Sequence, residues 1–197
     1  MAGSRLRQFD RQLKRIAMPL LVDHGFSPFP ERVFRRSIEH EGTSTIQVID
    51  FQIGMKGNFV GRFTVNLGVY NEDLMPDERR LGRENPIVPN CMSDLTQRLG
   101  FFHIAEQSLI ARFLRRPKPL ADDYWWPQSE DENEMTQTMQ SVTNCLLENG
   151  LNWLDSRTSK EAFAWAIHEL DRRKAWKQQL TQPNAIPTFE ASPFPHQ

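Results

Sequence analysis

Residues Thr45–Tyr70, TIQVIDFQIGMKGNFVGRFTVNLGVY, read as two β-strands joined by a glycine-bearing turn. Ile49, Phe51, Ile53, Phe59, Phe63, Val65 and Leu67 are apolar, and Asp50, Gln52, Arg62, Thr64 and Asn66 alternate with them. Period-two alternation marks a strand with one buried face. Both apolar sets reach the same side only if odd residues pair with odd, which requires a loop of odd length. Met55-Lys56-Gly57 supplies such a loop, with glycine where a left-handed residue is wanted. This register sets Asp50 against Arg62 and Phe51 against Gly61.

The same arithmetic extends toward the N-terminus. Val33–Ile38 reads as a strand, and a two-residue Glu41-Gly42 loop sets Arg36 opposite Gln47. Arg35 then lies diagonal to Asp50 on the polar face. The product is a three-strand antiparallel meander, to which Arg98–Phe102 is expected to add a fourth strand. Around it, Leu6, Phe9, Leu13, Ile16 and Leu20 form one helical stripe, with Pro19 kinking or restarting the helix and Gly25 ending it. Met135, Met139, Val142, Cys145 and Leu146 form another stripe, and Ala105–Leu114 suits a helix. Thr158-Ser159-Lys160-Glu161 reads as a capping box opening a final helix. Asn71–Pro89 is a long polar connection. The fold class expected is α+β, an antiparallel sheet of about four strands with helices packed on one face. Residues 1–180 form one domain. The proline-marked stretch 181–197 is expected to be a disordered tail.

Composition limits the function. A 197-residue chain supports one domain with a substantial core. The formal charge of −1 argues against wholesale binding to nucleic acid or anionic membranes. Two distant cysteines, Cys91 and Cys145, make neither a disulfide framework nor a zinc site, which suits a reducing cytoplasm. No apolar run approaches the roughly 20 residues of a membrane-spanning helix.

Several pieces then line up in order. They are Pro19-Leu20-Leu21 running to Gly25-Phe26, Phe34-Arg35-Arg36, and Ile49-Asp50-Phe51-Gln52. Phe63–Val69, the segment Cys91 to Arg98-Leu99-Gly100, and Asp123-Tyr124-Trp125-Trp126 follow. Over residues 8–175 this pattern resembles the bacterial family catalogued as domain of unknown function 4304 (DUF4304). The stretch from Gly100 to Asp123 is longer than the resemblance leads one to expect. The resemblance implies a fold and a bacterial cytoplasmic setting, and it carries over no catalytic residue.

The polar sheet face is the leading candidate surface: Arg35, Asp50, Gln52, Arg62, Thr64 and Asn66. Its bland reading is a solvated face with cross-strand ion pairs, each worth under about 1 kcal/mol. Its functional reading is recognition, for which the amides of Gln52 and Asn66 are suited. Trp125 and Trp126 point opposite ways along a strand, so one is expected in the core and the other at a groove or interface, with burial of both under the final helices as the even alternative. Cys91 with His103 as base, or Asp50 alone, offers the catalytic alternative of a small hydrolase or transferase. A basic N-terminal helix and first strand offer nucleic-acid binding as a third. The histidines lack ligand spacing, Glu130–Glu134 lacks the pattern of a calcium loop, and there is no phosphate-cradling glycine loop. The expected role is therefore a non-catalytic cytoplasmic module that binds a protein partner, with no cofactor and no metal.

Overall fold

The computed structural model describes residues 2–40, 42–77, 80, 86–105 and 124–180. The chain opens with α1 (Ala2–Gln12), a π-helical turn (Leu13–Ala17) and α2 (Met18–Asp23). It continues through β1 (Ser27–Phe29), β2 (Val33–His40), β3 (Thr43–Ile53) and β4 (Arg62–Tyr70). Next come β5 (Thr96–Arg98), α3 (Leu99–Ala105) and β6 (Trp126–Pro127). Then α4 (Glu132–Cys145), a second π-helical turn (Leu146–Gly150) and α5 (Leu151–Ser156) precede α6 (Lys160–Leu180).

The sheet is antiparallel in the order β1-β2-β3-β4-β5, and β6 pairs with β4 as well. The α+β class stands, with six strands among the described residues in place of about four. β1 has 3 residues and β6 has 2, too short to show any alternation. The strand expected at Arg98–Phe102 ends at Arg98, and Leu99 begins α3. Sequence expectations for residues 106–123 and for the tail fall outside the described residues.

The β2–β3 register is the expected one, with Arg36 opposite Gln47 and Gly42 at φ +76 in the turn. The β3–β4 register differs. Asp50 faces Asn66 rather than Arg62, Phe51 faces Val65, and Ile53 faces Phe63. Hence the loop runs from Gly54 to Gly61. Val60 (φ −59, ψ 130) followed by Gly61 (φ +75) makes a type II turn, which needs a residue of positive φ in its second central position. The loop folds back on Gly54, where a Cβ would lie 2.0 Å from the Phe59 carbonyl oxygen. Phe59 leaves the strand and rests its ring 4.6 Å from that of Trp125. The displacement is an even number of residues, so the side chains that remain paired keep their expected faces, and Phe59 does not.

The apolar face packs against the helices. Phe9 of α1 meets Phe63 edge-on at 4.8 Å, Trp126 stacks on Phe63 at 6.1 Å, and Phe34 meets Phe51 at 5.8 Å. Met135, Met139, Val142 and Leu146 are fully buried in the same cluster, and Ile16 packs at its margin. The π-helical turn after Gln12 rotates the N-terminal stripe, so Ala17 and Leu21 are buried where Leu20 was expected. At the end of α2 the Phe26 N–H donates to Leu21 O and the Gly25 N–H to Val22 O, both at 2.9 Å, with Gly25 at φ +83. This is the Schellman geometry that the glycine implied.

Charge fixes α1 to α4. Asp131 caps α4 by accepting from the amides of Asn133 and Glu134, and the acidic run then faces Arg5, Arg11 and Arg15. At the start of α6 the cap is Ser159, whose hydroxyl accepts from the Ala162 amide at 3.2 Å. Thr158 instead donates to Asp155 O, which corrects the expected capping residue by one position.

Phe63→Ala is expected to destabilise the protein by about 3–5 kcal/mol in denaturant titration, the scale for a large core aromatic. A loss under about 1 kcal/mol would return Phe63 to the surface. Gly54→Ala is expected to cost about 1–3 kcal/mol by the same measurement, because the loop must lift to admit a methyl group. An unchanged midpoint would refute the closure of the loop over Gly54.

Candidate functional site

On the polar face, Val33, Asp50, Asn66 and Arg98 stand in one row across β2, β3, β4 and β5. Arg35, Val48, Gly68 and Thr96 form the neighbouring row. The second row is roofed by the turn Val88–Asn90 and by Cys91. Gly68 has no side chain because a Cβ there would lie 2.8 Å from Cys91 Sγ. Thus the end of the long Asn71–Pro89 connection covers part of the sheet. Arg35 anchors that cover by donating from Nε to Pro86 O at 2.7 Å, with its guanidinium 3.7 Å over Phe29.

In the first row, Asp50, Asn66 and Arg98 line a cleft of about 1100 Å³. Asp50, Gln52 and Asn66 form the floor, and Arg98 stands at the β5 edge. Beyond that edge, Phe101 and Phe102 of α3 and Trp153 and Arg157 at the end of α5 complete the wall. The Asn66 amide nitrogen donates to Asp50 Oδ2 at 3.2 Å and to Gln52 Oε1 at 2.9 Å. One amide therefore holds two acceptors in place, and no other described side chain donates to them.

Burial raises the Asp50 pKa above its ordinary value, the Asn66 hydrogen bond lowers it, Glu31 raises it, and Arg32 lowers it. Glu31 and Arg32 are themselves unusual, with φ of +61 and +67 in consecutive non-glycine residues. Left-handed backbone costs an L-residue roughly 1–2 kcal/mol. Arg32 is held there by a bidentate pair with Asp10, at 2.7 and 3.1 Å. Strained backbone maintained by surrounding contacts is common beside binding sites.

Among the residues singled out from sequence, Asp50, Gln52 and Asn66 come together. Arg62 lies elsewhere, exposed and opposite Pro127 at the far end of β4. Thr64 is fully buried opposite Gln52. Trp126 belongs to the core, as expected of one tryptophan. Trp125 is buried on the other side, between Phe59 and the Arg98 guanidinium. Cys91 is buried, and burial pushes its thiol up to about 12, far from thiolate at neutral pH. The His103 ring lies tilted against Tyr124 and Trp126, with centroids at 4.6 and 5.6 Å. Arg98, Phe101, Trp153 and Arg157 escaped the sequence reading. Pairing across β5 was the one signal available for Arg98. The other three arrive through helix placement, which has no local signature.

No match was found among curated proteins or among solved structures. A family model matches residues 17–156, which contain the whole sheet, α3, α4 and α5. The chain belongs to the family described as Domain of unknown function (DUF4304).

Proposed function

We propose that the protein is a non-catalytic binding module whose open sheet face holds a segment of a protein partner. The observation that carries this reading is the Asp50–Asn66–Gln52 floor, where a single amide organises two acceptors under an open cleft with aromatic walls. Side-chain amides and carboxylates at a cleft floor suit the alternating donors and acceptors of a polypeptide. A catalytic role for Asp50 draws support from its raised pKa. Its described hydrogen-bond partner is an amide rather than a nucleophile or a second acid, so binding ranks first. Nucleic-acid binding through the N-terminal helix ranks below both, because Arg5, Arg11 and Arg15 are engaged with Glu130 and Glu132.

No helix among the described residues is long and apolar enough to cross a membrane. Cys91 and Cys145 are both buried and neither is in a disulfide, which supports a reducing, cytoplasmic setting.

The test is selection of a displayed library of random linear peptides on the wild-type protein, with counter-selection on Asn66→Ala. Enriched peptides are expected to lose at least about tenfold in affinity on Asn66→Ala and on Asp50→Asn, the scale of a buried polar contact. Peptides that bind all three proteins equally would overturn the assignment, as would a failure to enrich any. The same Asp50→Asn variant has a second signature. With a raised pKa, Asp50 binds its proton more tightly in the folded state, so its contribution to stability falls as pH rises through that pKa. Asp50→Asn is therefore expected to be as stable as wild type or more so at neutral pH, and to flatten the stability profile through the acidic range. Loss of stability at neutral pH would refute the burial argument.

A further inference from the structure

Arg157 follows α5, is half-buried, and lines the cleft beside Trp153. Its guanidinium lies over two indoles, 6.0 Å from the Trp153 centroid and 5.5 Å from that of Trp165. Contact with π faces leaves the in-plane N–H groups unspent, since a guanidinium donates within its own plane. Arg157 Nε is shut off from solvent and meets no acceptor, and none of the described residues forms an ion pair with this side chain. Arg15, Arg32, Arg36, Arg172 and Arg173, in contrast, each hold a carboxylate. Among the described residues, the charged lining of the cleft is Arg98, Arg157 and Asp50. An anionic group is the complement that Arg157 lacks among the described residues.

We propose that Arg157 is a carboxylate-binding site, filled by an acidic side chain or the C-terminus of the polypeptide that the cleft holds. The assignment rests on the binding-module reading above. A guanidinium matches a carboxylate through two parallel N–H donors, here those of Nη1 and Nη2, since Nε is closed to solvent. A phosphate dianion fits less well, because the same cleft carries the Asp50 carboxylate. Phe101, 44 % exposed, and Phe102 give the hydrocarbon part of such a residue an apolar wall.

The experiment is an NMR titration of the full-length protein, read at the indole N–H resonances of Trp153 and Trp165. The probes are Nα-acetylglutamate N-methylamide, N-acetylglycine and the neutral Nα-acetylglutamine N-methylamide. At least one carboxylate probe is expected to saturate about tenfold more tightly than the neutral probe, and which one does so separates side chain from C-terminus. Arg157→Gln should abolish the preference. Arg157→Lys keeps the charge but lacks the planar fork, so it should weaken the preference severalfold, and it covers the case in which the glutamine variant fails to fold. Equal response to all probes, no saturable response, or a preference that survives both variants overturns the proposal. Tighter saturation by inorganic phosphate overturns the carboxylate as the ligand class. Library-selected peptides that need Asn66 yet carry no acidic preference would overturn the Arg157 site and leave the binding module standing.

Discussion

The pairing of β3 with β4 is the constraint on which the rest of the molecule depends. It puts Ile49, Phe51, Phe63, Val65 and Leu67 on one side, where α1 and α4 close over them. It also puts Asp50, Gln52 and Asn66 on the other side and in reach of one another. Core and cleft are thus the two faces of one ladder. A slip by a single residue would bury the acid and expose the phenylalanines, so the burial of five large apolar side chains holds the candidate site in register. Gly54 and Gly61 serve the same end, because the loop between them adds residues without changing parity.

Parity also explains which parts of the fold were legible in the sequence. Alternation reports only which face a residue occupies, and every face in β3 and β4 was read correctly. It does not report the partner, because loops differing by two residues satisfy the same pattern. Asp50 was therefore matched with Arg62, an attractive ion pair, in place of Asn66. The β2–β3 turn is tighter, and there Arg36 and Gln47 were matched correctly. That pair meets Asp155 at the end of α5, closing one end of the apolar face with a polar cluster. Glycine-dependent features were also legible, since positive φ has a chemical cause at Gly25 and at Gly42.

Helical detail was less accessible, for a different reason. A π-helical turn adds a residue to the repeat without leaving a mark in the sequence. After each such turn the buried stripe rotates, as between Leu13 and Ala17. The wall of the cleft depends on this kind of placement. Phe101 lies in α3, far in the chain from Trp153 and Arg157 at the end of α5, and only tertiary packing brings them to the cleft beside Asp50. The β-strand half of the candidate site was consequently visible as an alternation, and the helical half was not.

The energetics of the cleft separate it from an ordinary solvated sheet face. Three features there oppose folding: a carboxylate raised by burial, two consecutive left-handed residues beside it, and a guanidinium nitrogen buried without an acceptor. A solvated face has no reason to accumulate such costs, because water or a neighbouring charge would relieve each at little expense. The favourable contacts nearby are aimed at holding these groups rather than neutralising them. Arg32 is clasped by Asp10, Asn66 orients Asp50, and the indoles of Trp153 and Trp165 support Arg157. Groups that are costly, oriented and incompletely paired gain most when a complementary surface arrives, because the desolvation of one partner has already been borne in the fold. That is the physical ground on which the proposed binding role of this face rests.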